Sequence, residues 1–218
     1  MQITRTGFLM GLAGIGGAAA QTQPRPKMHR FERQPLKVAD FDAEGYVLDI
    51  GGGGEGIIGR MKPSQVVAID LYKNELMESP AGPLKIVMDA TEMKFLDGQF
   101  ATATAFFSLM YMQPEVQRKV FAETARVLKP GGRWMVWDAV LPMLADPGME
   151  QGTKGPLFYF EFHLPREVVK TGYGTLWPQV RMDLPYYRSL AEAAGFRIAL
   201  AEETGGQFRT FRMELRKA

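Results

Sequence analysis

The 218-residue chain has no cysteine and only two histidines, His29 and His163. Disulfides, thiol nucleophiles and thiolate metal sites are therefore excluded. A sizeable excess of charge is also missing. Twenty-six basic residues stand against 24 acidic ones, a net charge of +2. The basic residues are scattered, with no stripe interleaved with aromatics, so the pattern predicts no nucleic-acid partner. No apolar run approaches the ~20 residues needed to cross a bilayer, and no membrane span is expected. There is no internal repeat, no second globular unit and no acid cluster with metal-ligand spacing, so no metal is expected. What remains is 46% hydrophobic and 23% charged, an ordinary globular composition with enough apolar material for one large core.

The amino terminus departs from that plain picture. Residues 1–20 carry one arginine, Arg5, a weakly apolar run from Gly7 to Gly17, and small residues at Ala18–Ala20. This is the layout of a secretory signal. It also resembles a degenerate twin-arginine signal with Thr6 in place of the second arginine. The plainer reading is a start placed too early, with Met28 as the true one, or a loosely ordered tail. A cytoplasmic location is expected, with export as the alternative. "QTQPRPKMHRFERQP" reads as a polar, proline-bearing linker. The domain is expected to span 38–218, with 1–37 as tail and linker.

From Tyr46 onward short apolar runs alternate with helical segments. "YVLDI", "QVVAID", "LKIVMD", "ATATAFF" and "RWMVWD" lack polar alternation, as strands buried on both faces do. Four of them end in or near an aspartate: Asp49, Asp70, Asp89 and Asp138. A carboxylate suits the carboxyl edge of an open α/β sheet, where ligands bind. "PEVQRKVFAETARVL" places Val116, Val120, Phe121, Val127 and Leu128 on one helical face, with Pro114 in its first turn and Pro130-Gly131-Gly132 ending it. "LPYYRSLAEAAG" predicts a second helix capped by Asp183 and ended by Gly195. "FRIALAE" and "FRTFRMEL" predict a terminal hairpin. The stretch 141–182 breaks the alternation and is too long for a plain connection. It reads as a substrate-facing insert.

"LDIGGGGEGIIGR" holds five glycines within Gly51–Gly56. Each costs roughly 0.5–1 kcal/mol against alanine in regular structure. The spacing fits G-x-G-x-x-G, the dinucleotide fingerprint, but so dense a run fits many templates. Asp49 discriminates. It would repel a phosphate arriving at the loop and attract a cationic amino-acid end. Asp70 is placed to accept from ribose hydroxyls, and Asp89 from an exocyclic adenine amine. A ligand with a cationic end, a ribose and an adenine is S-adenosylmethionine. A nicotinamide-dependent oxidoreductase is the alternative that Asp49 and the closing hairpin oppose.

These stretches, "VLDIGGGGEG", "VVAIDLYKNEL", "VMDATEMKFLDGQF" and "RVLKPGGRWMVWD", resemble the class I S-adenosylmethionine-dependent methyltransferases over Tyr46–Asp138. The similarity is closest to small bacterial and archaeal methyltransferase-like proteins with "LDIGGGGEG". The resemblance implies an α/β, Rossmann-like sheet of about seven strands, mostly parallel with a terminal antiparallel hairpin and helices on both faces. It implies that Asp49 organises the amino-acid end, directly or through water, and that Gly51 and Gly53 pass the methionine moiety. Asp70 would hold the ribose and Leu71 pack on the adenine. Asp89 and Ala90 would meet the adenine edge, and Phe107 lie near the sulfonium. Glu55 stands where the family often has a third glycine.

The same resemblance implies methyl transfer, and the short insert with no basic surface beside it points to a small organic acceptor. The Asn/Asp-Pro-Pro-aromatic signature of many amino-group methyltransferases is absent; "FFSLMYM" stands there. Methyl transfer needs alignment more than a named base, and no catalytic residue is identified. Tyr111, His163, Tyr173 and Trp177 are candidate acceptor-side residues. Core packing competes at Tyr111 and Tyr173, and a structural role at His163. Binding of the cofactor without catalysis is the alternative function. The sequence is silent on oligomeric state.

Overall fold

The computed structural model describes residues 26–204 and 206–218; the signal-like segment 1–20 lies outside them. The apolar runs become strands β2 (Val47–Ile50), β3 (Val66–Asp70), β4 (Leu84–Val87), β5 (Phe100–Phe106) and β6 (Leu128–Ala139). Between them lie α1 (Ile57–Met61), α2 (Lys73–Glu78) and α3 (Pro114–Val127). Helix α4 (Leu184–Ala193) follows, capped by Asp183 accepting from the Tyr186 amide, and then β9 (Phe196–Thr204) and β10 (Thr210–Lys217).

Seven of these strands form one sheet in the order β4-β3-β2-β5-β6-β10-β9. Strands β4, β3, β2, β5 and β6 are parallel, and β10 runs antiparallel to both β6 and β9. The chain steps outward from β2 to β3 and β4, and in the opposite direction from β5 to β6. Right-handed crossovers then put α1 and α2 on one face and α3 on the other. Helix α4 joins α3 through Gln117, whose amide contacts the hydroxyls of Tyr186 and Tyr187. Alternation along β6 separates the faces. Trp134 packs on Phe121 of α3, and Trp137 packs on Phe106 on the opposite side.

A second sheet covers that opposite side. It consists of β1 (His29–Lys37), β7 (Pro156–His163) and β8 (Val168–Gly174), in the order β1-β7-β8. Strand β1 pairs parallel with β7, and β7 antiparallel with β8. Phe158, Phe160 and Phe162 point inward and are fully buried. Phe162 meets Phe106 edge-on at 5.0 Å, and Phe158 stacks on Phe208 at 3.9 Å.

Two expectations are corrected here. The domain does not begin near Val38, because the segment read as linker contains β1. Its alternation is masked by a register shift between Arg30 and Arg33, which puts buried Phe31 and Gln34 out of phase. Pro35 sits in an edge strand, where proline is tolerated. The stretch 141–182, read as an insert that breaks the alternation, is also not irregular throughout. Half of it forms the β7–β8 hairpin, and a bridge between Leu141 and Met182 closes its ends.

Candidate functional site

The glycine loop folds back on its own scaffold. The Gly51 and Gly52 amides donate to the Ile69 carbonyl at 2.9 and 3.0 Å, and the Gly54 amide to that of Glu75 at 2.8 Å. Gly51 has φ +71°, and a Cβ there would lie 2.5 Å from Cβ of Ser108. A Cβ on Gly53 would lie 2.5 Å from Cβ of Glu75 and 2.8 Å from Asp70 Oδ2. No side chain fits at either position, so the backbone itself forms the wall between β2, α2 and residue 108.

The four strand-end aspartates separate into two pairs. Asp49 is buried and accepts from the Thr104 hydroxyl at 2.8 Å. Asp138 is buried and accepts from the amides of Leu109, Met110 and Ala139, which fixes the 3-10 turn Leu109–Tyr111 after β5. Asp49 thus ties β2 to β5, and Asp138 holds the turn. Asp70 and Asp89 instead face a cavity of about 240 Å³. Asp70 also receives the Tyr72 amide at 3.0 Å, and Asp89 receives the Thr91 amide and hydroxyl, both at 2.8 Å.

The cavity opens at the carboxyl edge of β2–β5. It brings together Gly51, Asp70, Leu71, Asp89, Ala90 and Tyr111 from the expected residues. Glu75, Met88, Ser108 and Met112, none of them expected from the sequence, line it as well, and the α3 residues Glu115, Val116 and Lys119 complete the wall. Their spacing of three to four residues at the start of α3 was the available signal. Val116 was assigned to the core and is instead half-buried at the cavity.

Other expected residues lie elsewhere. Gly53 backs the Asp70 carboxylate from behind the lining. The Phe107 side chain does not reach the cavity. It is buried among Phe106, Phe160, Phe162 and Tyr173. Phe107 has φ +48°, the one non-glycine positive φ among the described residues, a conformation that costs about 1–3 kcal/mol. Tyr173 is buried and stacks on Phe107, with centroids 5.3 Å apart and planes 12° from parallel. Its hydroxyl donates to Glu55 Oε2 at 3.1 Å. The Trp177 indole donates to the Thr153 carbonyl. His163 is exposed on the outer face of the small sheet, 3.9 Å from Glu161. The expectation that Tyr173, Trp177 and His163 border an acceptor is therefore corrected. The inward aromatics are consumed in sheet-on-sheet packing, and His163 sits on the opposite face of β7. Among the described residues no cluster of His, Asp and Glu is arranged to hold a metal ion, and no helix is long and apolar enough to cross a membrane.

Residues 48–136 match the family model described as a methyltransferase domain. Over that stretch, which runs from β2 to most of β6 and holds the cavity's strand ends, the chain is similar to methyltransferase domains. No curated protein sequence matches it. Solved structures of similar fold include a S-adenosylmethionine-dependent methyltransferase from Methanosarcina mazei (19% identical, TM-score 0.57, covering 81% of this chain and 94% of that one). Another is the 1,6-didemethyltoxoflavin N1-methyltransferase of Burkholderia thailandensis, with S-adenosylhomocysteine bound (16%, TM-score 0.51, 80% and 72%). A third is a [4+2]-cyclase (16%, TM-score 0.53, 81% and 75%). At these identities the likeness is one of fold.

The methyltransferase domain's methyl donor is S-adenosylmethionine, and the cavity has the chemistry to fit it. Two carboxylates stand at the ends of adjacent strands and share the cavity with the apolar Ile69, Leu71, Met88 and Ala90. The Asp89 side of the domain is secured from behind by Arg126 of α3. Its guanidinium donates to the carbonyls of Met93 and Phe95 and to Asp97 and Glu123, while Glu123 accepts the Met93 amide. Arg126→Ala is expected to cost about 2–3 kcal/mol in urea unfolding, because several charge-assisted bonds go but all at a half-exposed site. The Arg126 guanidinium holds the Glu123 carboxyl below the usual glutamate range. A depressed folded value means that Glu123 stabilises above its unfolded value and loses that contribution as pH falls. The gap between wild type and variant is therefore expected to shrink in acid.

Proposed function

We propose that the protein is a methyltransferase that binds S-adenosylmethionine in the β2–β5 cavity and acts on a small organic acceptor. The observation that carries this is that Asp70 and Asp89, from the ends of adjacent strands, line the same cavity as Leu71 and Ala90. Asp70 accepts from the two ribose hydroxyls. Leu71 and Ala90 pack against the adenine, and Asp89 accepts from its exocyclic amine. Gly51 and Gly53 keep the loop low enough for the methionine end to pass, and Asp49 acts indirectly by fixing the end of β2 to β5 through Thr104. Bound there, the cofactor supplies an already activated methyl group, so the chain's task is orientation and exclusion of water. Ser108, Tyr111 and Met112 border the cavity on the β5 side and are the residues nearest an incoming acceptor in this reading. A narrow cavity with an apolar wall suits a small molecule, as does the small heterocycle named for the Burkholderia enzyme.

A second reading is cofactor binding without methyl transfer. It is favoured by one observation: Tyr173 and Trp177, expected to enclose an acceptor, are packed away from the cavity. Calorimetric titration with S-adenosylhomocysteine and, separately, NAD tests the binding step. Heat with the first and none with the second is expected; the reverse would sink the proposal. Labelled methyl transfer to a metabolite panel then separates the two readings.

A further inference from the structure

Glu55 interrupts the glycine run, and its side chain turns away from the cavity toward the small sheet. It accepts from the hydroxyls of Thr171 and Tyr173, both on β8. Its carbonyl accepts from Arg60 Nε at 2.7 Å, and the Arg60 guanidinium reaches Glu167 Oε2, at the β7–β8 turn, at 3.0 Å. One residue of the loop is thus tied to the hairpin through both its side chain and its main chain. The same Tyr173 ring stacks on Phe107, the strained residue immediately before Ser108 of the cavity wall. Strand β8 therefore touches both rims of one end of the cavity, the glycine loop and the end of β5.

We propose that Glu55 is a positioning residue for the methionine end of the cofactor, acting through its clamp to Thr171 and Tyr173. The hairpin in 141–182 is then part of the donor site. Main-chain bonds to the Ile69 and Glu75 carbonyls hold Gly51, Gly52 and Gly54, but glycine offers no side chain with which to anchor the loop laterally. The tether supplies that at the fifth loop position, two residues from Gly53. The inference rests on the proposed cofactor site. It adds that donor affinity, more than acceptor selection, depends on β8.

Two ligands separate this role from plain stability. S-adenosylhomocysteine has the amino-acid end; 5′-methylthioadenosine keeps the adenosine and lacks it. Calorimetric titrations of both ligands are made with wild type, Glu55→Ala, Glu55→Gln and the double variant Thr171→Val/Tyr173→Phe. Glu55→Ala and the double variant are expected to bind S-adenosylhomocysteine about tenfold more weakly, the size of one lost hydrogen bond. Their affinity for 5′-methylthioadenosine should change less than about twofold. Glu55→Gln keeps an acceptor oxygen and should recover most of the loss. If Glu55→Ala fails to fold, the double variant alone decides. Equal losses for both ligands, or no loss for either, would overturn the clamp while leaving the cofactor site standing. Failure of the wild type to bind either ligand would overturn the cofactor site itself, and the clamp with it.

Discussion

Removal of residues 1–37 is expected to abolish the cooperative thermal transition of the domain. Strand β1 carries Phe31, which meets Phe208 edge-on at 4.8 Å. It also carries Gln34, whose side-chain amide donates to the Phe208 carbonyl at 2.6 Å and accepts from its amide at 3.0 Å. Losing the buried Met28 and Phe31 forfeits about 1.5–3 kcal/mol each. Losing Gln34 leaves two buried backbone groups unpaired at about 1–3 kcal/mol each. Strand β7 becomes a bare edge, and the phenylalanines beneath it face water. Together these losses approach the whole stability of an ordinary domain, about 5–15 kcal/mol. Thermal scans by near-ultraviolet circular dichroism, with a chain starting at Pro26 as control, make the comparison. A truncated chain melting within a few degrees of that control would show that β1 is peripheral.

Asp70→Ala is expected to reduce affinity for S-adenosylhomocysteine about 100-fold with little change in melting temperature. Two charge-assisted hydrogen bonds to the ribose, each worth roughly 1.5–3 kcal/mol, give a loss of that order after part of it is returned to solvent. The residue ends an otherwise buried strand but is itself half-exposed at the cavity, so the sheet should survive the change. Asp70→Asn keeps the shape with a neutral acceptor and should fall between. Unchanged affinity in Asp70→Ala would place the ribose elsewhere.

The main sheet was legible because its central strands β2, β3 and β5 are buried on both faces and read as apolar runs bounded by glycine and aspartate; the edge strand β4 reads the same way although Leu84 and Val87 are exposed. The terminal hairpin and both long helices were legible from turn residues, spacing and caps. The small sheet was not. In β1 a register shift disrupts the period of two, and the outward face is charged, so a structural strand looks like linker. In β7, Phe158, Phe160 and Phe162 alternate with Tyr159, Glu161 and His163, a strand period enclosed in a stretch that otherwise breaks the alternation. The aspartates show the limit on the site. Their position at strand ends identified the carboxyl edge, but two of them satisfy backbone amides and a hydroxyl, and only Asp70 and Asp89 reach the cavity. A sequence places a carboxylate at an edge; its rotamer and partners decide whether it meets a ligand.

A crystal structure of the full chain grown with S-adenosylhomocysteine tests the central claim most directly. The account predicts the ligand in the β2–β5 cavity, its ribose hydroxyls on Asp70, its adenine between Leu71 and Ala90 with the amine toward Asp89, and its amino-acid end against the Gly51–Gly53 backbone. Ligand bound at any other place, or bound there with Asp70 free of the ribose, would contradict it.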